Sequence, residues 1–345
     1  MNNFRATIVG ACAALALTAV TATAQPVPPP KASNLTLMND DGVTAVHIFP
    51  TVQKAQELGL IRSTTSTRTP PPVTSLTYHA GGSVMQPLVN FYVIYWMPNK
   101  LQDGTTTGIS TTYKQIQNAM VGGYGGHSLS SINTQYYQTI GGHTSYVTGN
   151  GVLAATYIDK GAYPASGCTS TARPNNCITD AQLQTEIQRV MTLNGWTGGM
   201  DKMFLVFTST GEGSCFNASS TTCAYTAYCA YHSYFTPPSG PNVIYSNEPY
   251  GDQTVCFGDG TSPHNFLDAE AATTAASHEI SEAITDPFLN AWYDTDGNEN
   301  GDKCAYNYGK NHWNAGKANQ KWNGEYFELQ MEWNNHTGSC TQSGP

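Results

Sequence analysis

Charge is what this chain has little of. Asp, Glu, Lys and Arg together make up 11% of its 345 residues, under half the ~25% of an ordinary soluble domain. There is no cluster of Lys and Arg, and the formal charge is −9, which argues against nucleic acid or an anionic membrane as a partner. Between Lys202 and Lys303 there is no basic residue other than histidine. A serine-hydrolase elbow, Gly-x-Ser-x-Gly, is absent, and with it the usual nucleophile of that class. No Cys-x-x-Cys pair occurs, which argues against a zinc ribbon or a thioredoxin-type redox site. Beyond the N-terminus no apolar run approaches the ~20 residues of a membrane-spanning helix.

What is present begins with an export signature. Arg5 is the only charge before an apolar run over 6–22, and Ala22, Thr23 and Ala24 form a small-residue cleavage site. Residues 1–24 therefore read as a signal peptide of a secreted protein, extracellular or periplasmic, with no membrane association once it is cut. Loss of Arg5 takes the formal charge from −9 to −10. Cys12 leaves with the signal, so eight of the nine cysteines remain. An even number in an exported chain implies disulfides. Cys168 with Cys177 and Cys304 with Cys340 are candidate pairs, and the full connectivity stays open.

Residues 25–75 are rich in Pro, Ser and Thr and read as an N-terminal arm or pro-segment, holding one strand near 43–49 and one short helix near 52–60. Residues 76–345 read as a single domain. Apolar β-branched and aromatic runs predict strands at 89–96, 152–158, 202–208 and 242–246, with an extended segment within 223–235. Helices are expected over 111–121, stopped by Gly122 and Gly123, and over 180–193. A third helix leads to Pro287, which disfavours helical geometry at Asp286. Its start is either the Ser262-Pro263 pair or the acidic turn near Asp268 and Glu270. The stretch 326–333 is ambiguous between strand and helix.

The third helix carries the most informative motif: Ser277-His278-Glu279-Ile280-Ser281-Glu282. Positions i and i+4 lie nearly in line on a helix, so His278 and Glu282 can grip one metal ion with Glu279 beside it as general base. This is the geometry of the His-Glu-x-x-His zinc-peptidase helix with glutamate as second ligand. The opposite face holds Ala269, Ala272, Ala276, Ile280, Ala283 and Ile284, so the helix is expected to be buried. A buried acidic stripe with no nearby Lys or Arg calls for a bound cation. A third ligand is expected downstream, at Glu299 or Asp302, with Asp286 as a further candidate or a helix cap. Zinc is the preferred ion, while the oxygen-rich ligand set leaves Ca2+ or Mn2+ open. Asp294, Asp296 and Asn298 resemble the opening of a calcium loop, but glycine falls at the wrong place for an EF-hand. His232 is a candidate to reach the cleft and stabilise an oxyanion.

Several short segments occur in a distinctive order: Leu76-Thr-Tyr-His-Ala-Gly-Gly, Tyr92-Val-Ile-Tyr-Trp, Met203-Phe-Leu-Val-Phe, Cys229-Ala-Tyr-His-Ser, the Ser277 motif running to Asp286-Pro287, Asn290-Ala-Trp-Tyr, Glu299-x-x-Asp-x-Cys304 and Glu332-Trp-Asn. Through them, over residues 75–340, the chain resembles the phosphate-induced, EXORDIUM-like secreted proteins of plants and their microbial relatives. The resemblance implies export, one domain and a shared His/Glu/Glu/Asp constellation. It implies no reaction, since the plant members look like cell-wall growth proteins without an assigned chemistry. Those members often have Asn in place of Asp286, which favours Glu299 and Asp302 as ligands.

The sequence thus predicts an α+β fold with a zincin-like mixed sheet and a buried active-site helix, stabilised by disulfides. The expected function is a monomeric, secreted metal-dependent peptidase acting on a peptide or protein substrate through a metal-activated water. Glu279 and His232 would be its catalytic residues. His278 and Glu282, with Glu299 or Asp302, would be its metal ligands. The alternative is a non-catalytic protein that binds cell-wall polysaccharide and carries a structural metal.

Overall fold

The computed structural model describes Lys31, residues 33–38, 44–61 and 74–345; residues 1–30, with the expected signal peptide, and residues 32, 39–43 and 62–73 lie outside the described residues. One seven-stranded mixed sheet organises the chain. Its strands are β1 (Thr36–Met38), β2 (Ala45–Pro50), β3 (Val89–Trp96), β4 (Gly151–Asp159), β5 (Lys202–Thr208), β6 (Tyr228–Phe235) and β7 (Val243–Glu248), in the order β1-β2-β6-β7-β5-β3-β4. The half made of β7, β5, β3 and β4 is parallel. The half made of β1, β2, β6 and β7 is antiparallel.

The inner strands β2, β5, β6 and β7 are buried on both faces and read as near-continuous apolar runs, whereas the edge strand β4 alternates, with Val152, Ala154, Thr156 and Ile158 exposed. In β3, Phe91, Val93 and Tyr95 face one core and Ile94 and Trp96 the other. The second core is capped by α3 (Asp180–Asn194) through Leu183, Ile187, Val190 and Met191. A capping box between Thr179 and Gln182 starts that helix, satisfying backbone donors that would otherwise be orphaned. The first core is covered by α2 (Thr111–Tyr124) and α4 (Leu267–Thr285).

Helix α2 runs through Gly122 and Gly123 instead of stopping there. A Cβ at Gly123 would lie 3.1 Å from Trp322 Cβ, so that glycine serves close packing, whereas one at Gly122 would meet Leu153 Cβ at an ordinary 3.6 Å; the helix carries both despite a propensity cost of about 1 kcal/mol each. Helix α4 starts at Leu267, after Ser262 Oγ accepts the Phe266 N–H at 2.9 Å. The acidic-turn reading of its start holds and the Ser262-Pro263 reading does not. Its Ala-rich face lies in the first core, and 17 of its residues, from Ala269 to Thr285, are buried.

The described part of the N-terminal arm is no loose tail. Strand β2 is buried at every position and pairs antiparallel with β6. Thr51 caps the following helix α1 (Val52–Leu58) by accepting the Lys54 N–H. Residues 36–38 and 45–50 thus form the outer edge of the antiparallel half-sheet.

Four disulfides close loops: Cys168–Cys177, Cys215–Cys223, Cys229–Cys256 and Cys304–Cys340. Both candidate pairs from the sequence are among them. Such bonds fit an oxidising, extracellular-type compartment, and no helix among the described residues is long and apolar enough to cross a membrane. Cys304–Cys340 spans 36 residues, a separation whose chain-entropy contribution is on the order of 3–4 kcal/mol. Replacing both cysteines by serine is expected to lower the unfolding free energy by about that much, read by urea denaturation. A change well under 1 kcal/mol would mean that the segment 302–304 is held by its other contacts alone.

Candidate metal centre

The i, i+4 spacing in α4 does what helical geometry requires. His278 Nε2 and Glu282 Oε1 stand 3.1 Å apart, both fully buried. After the helix the chain turns back at 299–304. The Glu299 N–H donates to Asp302 Oδ2 at 2.7 Å, and the Asp302 N–H donates to Glu282 Oε1 at 3.1 Å. This returns Asp302 Oδ1 to 3.8 Å from His278 Nε2. Gly301 permits the return, because a Cβ there would sit 2.5 Å from His278 Nδ1 and 2.9 Å from Glu282 Oε1. The Cys304–Cys340 bridge holds the segment two residues on.

Three further groups join this cluster that sequence reasoning did not single out. His47, in the middle of β2, places Nε2 2.8 Å from Asp302 Oδ2 and 3.8 Å from Glu282 Oε2, while its Nδ1 meets Thr36 Oγ1 at 3.0 Å. Gln330 donates to Gly301 O at 3.0 Å and to His278 Nδ1 at 2.9 Å. Lys31 places Nζ 2.7 Å from Glu299 Oε1 and 3.7 Å from Asp286 Oδ2. The expectation of no cation near the acidic stripe is therefore corrected. The cation comes from 268 residues away in sequence, where a reading of local composition cannot find it.

His232, on β6, puts Nδ1 3.0 Å from Glu279 Oε2. The other Glu279 oxygen, Oε1, accepts the Phe49 N–H of β2 at 3.2 Å. His232 thus touches the expected general base, and its placement is that of a group orienting Glu279. With Nδ1–H donated to Glu279, His232 Nε2 is left as an acceptor. It faces another acceptor, Glu299 Oε2, at 3.8 Å.

Asp286 takes the capping role. Its Oδ1 accepts the backbone N–H groups of Asn290 and Ala291. In the calcium-like loop, Asp294 Oδ1 accepts the N–H groups of Asp296 and Asn298, and Oδ2 pairs with Lys303 Nζ at 3.0 Å. That loop satisfies its leading carboxylate internally, with a lysine where an ion would sit. The Cys168, Cys177 and Cys215 sulfurs lie close together, but each is already in a disulfide.

The electrostatics follow from burial. Glu279, Glu282, Glu299 and Asp302 have no exposed surface. Desolvation pushes the first three well above the usual carboxyl range and Asp302 up to about 6. Desolvation holds His47 and His232 well below the usual imidazole value and His278 down to about 4. All three imidazoles are therefore neutral at pH 7, the form that binds metals. Burial alone would lower Lys31, but Glu299 and Asp286 outweigh it and keep the ammonium charged.

His278 Nε2, Asp302 Oδ1, Glu282 Oε2, His232 Nε2 and Glu299 Oε2 are buried without a hydrogen-bond partner. Orphaned buried polar atoms are costly, and here they converge. Zinc ligands at about 2.0–2.2 Å in a tetrahedron lie roughly 3.3–3.6 Å apart. The pairs at 3.1 Å (His278 Nε2 with Glu282 Oε1) and 3.8 Å (His278 Nε2 with Asp302 Oδ1, His47 Nε2 with Glu282 Oε2) bracket that range. The carboxylate oxygens fit a divalent ion as they stand. His278 Nε2 would join them with its proton moved to Nδ1, which requires the Gln330 amide to turn at the cost of its bonds to Gly301 O and the Tyr306 N–H. Two groups of three ligand atoms, His47/Glu282/Asp302 and His232/Glu279/Glu282, share Glu282.

No family model matches the chain, and neither the curated proteins nor the solved structures give a match.

The metal-free chain has a defined pH response. Raised carboxyls keep protons that the unfolded chain has released, so the stability they carry is present at low pH and is lost as pH rises. The lowered histidines act in the opposite sense, but only up to about pH 6.5. From pH 6.5 to 8 the decline is shared with carboxyls outside the cluster: burial raises Glu212 and Glu248 to about 8 and Glu186 and Glu328 to about 7. The unfolding free energy in chelator is expected to fall by about 1.4 kcal/mol per pH unit for each proton retained only by the native state, and saturating zinc is expected to lessen the decline by the share of the clustered carboxyls without removing it. Urea titrations at pH 6.5, 7.2 and 8 measure this, and a flat profile in chelator would mean the carboxyls are ionised in the native state.

Proposed function

We propose that the chain is a secreted metal-dependent peptidase with a zincin-like arrangement of sheet and helix. The observation that carries this reading is the convergence of unpartnered, fully buried His278, Glu282 and Asp302 atoms beside Glu279 on one helix and its return loop. The antiparallel half-sheet next to α4 also agrees with that layout, as does the resemblance to EXORDIUM-like secreted proteins, which supplies no reaction.

In this reading His278, Glu282 and Asp302 hold a zinc ion, with Mn2+ or Ca2+ as the alternatives, and Glu299 carries the balancing contact to Lys31. The ion supplies Lewis-acid polarisation of the reacting groups. Glu279 accepts a proton from the attacking water as the carbon–oxygen bond forms, then returns it to the amine nitrogen as the carbon–nitrogen bond breaks. His232 holds the Glu279 carboxylate in place. Gln330 orients His278, as outer-sphere partners of metal ligands generally do.

A second reading is supported by one observation: His47 Nε2 groups with oxygens of Glu282 and Asp302, the carboxylates that His278 also approaches, and four protein ligands make a closed, structural site. The chain would then be a non-catalytic protein that binds extracellular polysaccharide around a structural ion.

Elemental analysis and peptide cleavage separate the two. The purified protein is expected to carry divalent metal, to lose it in Glu282→Ala and to keep it in Glu279→Gln. Glu279→Gln is expected to lower chelator-sensitive cleavage of a casein-type substrate by about 10²–10⁴-fold. Gln330→Met is expected to weaken metal binding about 10-fold or more. Wild-type cleavage by Glu279→Gln would end the peptidase mechanism. A metal-loaded chain that leaves a broad peptide library uncut, whole or severed after residue 61, would be the binding protein.

A further inference from the structure

The catalytic reading needs an open coordination position and a free base, and one segment occupies both. Strand β2 lies antiparallel along β6, in register from Val46 opposite Ser233 to Phe49 opposite Ala230. It brings three groups to the centre. His47 Nε2 stands among the ligand atoms, 2.8 Å from Asp302 Oδ2. The Phe49 backbone N–H donates to Glu279 Oε1. The Phe49 ring packs on His278 with centroids 4.3 Å apart. Ahead of β2, Lys31 adds its ammonium at Glu299, and the Lys31 N–H is tied to Leu289 O at 2.9 Å. Residues 31–61 contain no cysteine, so no disulfide anchors this segment to the body.

We propose that Lys31 and residues 44–61 occupy the protein's own substrate groove: β2 takes the place of an extended substrate peptide on the β6 edge, His47 fills the metal's remaining coordination position, and the chain is latent until this segment is displaced. The inference rests on the metal-peptidase reading and names both its substrate class and its regulation. An extended chain added to a sheet edge is bound through backbone hydrogen bonds, with side-chain pockets setting preference. The amide nitrogen of Phe49 lies within hydrogen-bond reach of the general base, as the nitrogen of a leaving amine must. Substrates are therefore expected to be extended peptides with a large aromatic residue directly after the scissile bond, seated where Phe49 packs against His278 and Tyr306.

The test uses the full chain loaded with cobalt(II) in place of zinc, with its visible spectrum as readout and azide as probe. Wild type is expected to give an intense four-coordinate spectrum that azide leaves unchanged. His47→Ala keeps β2 in place but removes the imidazole. It is expected to give a weaker spectrum that azide shifts, and added imidazole is expected to restore the wild-type form. A second form carries an engineered specific-protease site between Ile61 and Thr74. After cutting it is expected to become azide-sensitive and to cleave peptides with Phe after the scissile bond at least tenfold faster than peptides with Gly there, while uncut protein does neither. A wild-type spectrum already sensitive to azide and unaltered by His47→Ala would overturn the inference and leave the metal site standing. Failure of wild type and His47→Ala to take up cobalt would remove the metal reading itself. Azide sensitivity gained on cutting without peptide cleavage would keep the occluded centre and discard the peptidase.

Discussion

Everything near α4 is governed by an excess of acid in a buried place. Glu279, Glu282, Asp286, Glu299 and Asp302 are fully buried around one ammonium, that of Lys31, and three imidazoles too desolvated to carry charge. A buried ion pair seldom stabilises a fold by itself, and five carboxyls against one lysine are far from balanced. Either the carboxyls hold protons, as their raised pKa values indicate, or a divalent ion joins them. The surroundings are built around that choice. Gly301 keeps the return loop close to His278, the Cys304–Cys340 bridge anchors its far side, and Asp286 spends one oxygen on the Asn290 and Ala291 amides to fix the turn after the helix.

The contrast with ordinary polar burial elsewhere in the chain is instructive. Asp180 is also fully buried and also raised, yet it receives hydroxyls from Tyr231 and Tyr245 at 2.9 and 2.6 Å and an amide from Gln184. That is a satisfied structural carboxyl. The groups around α4 have the same burial but leave five lone-pair or proton-bearing atoms facing one another without a partner. Unpartnered buried oxygens occur elsewhere too, on Glu212, Glu270 and Glu328, but there each stands singly; it is the convergence of five such atoms beside α4 that points to a ligand.

Local physics made much of this legible in the sequence. Strands β3 and β5 are continuous apolar runs bounded by polar residues and match their expected limits. The His278/Glu282 pairing needed only the helical repeat, and Asp302 was one of two named ligand candidates. What failed was non-local. Gly122 and Gly123 read as a stop, because the Trp322 side chain that Gly123 makes room for is distant in the chain. The acidic stripe read as lacking a cation, because Lys31 lies 268 residues from Glu299. His47 went unnoticed in a segment whose Pro/Ser/Thr-rich flanks suggested a detached arm. Its one signal was a lone imidazole inside the apolar run Ala45-Val46-His47-Ile48-Phe49, a buried polar residue for which a partner had to exist.

The way the arm is held bears on how a latent centre could be released. Val46, Ile48 and Phe49 are fully buried, and each contributes about 1.5–3 kcal/mol relative to exposure. Ladder hydrogen bonds to β6 and the Lys31 contacts add to this. Spontaneous opening at a cost of several kcal/mol would expose the centre in well under one molecule in a thousand. A diffusing peptide would have to outcompete a strand tethered to the same body, whose effective concentration is in the millimolar range or above. Severing the chain between Ile61 and Thr74 would change that balance while leaving the contacts of β2 in place: the segment would become a separate peptide, its return a bimolecular event, and dilution would favour the open form. The same tight packing that makes β2 an integral part of the sheet is what a one-way release would require, since a loosely held cover would leave the proposed centre open before any cut was made.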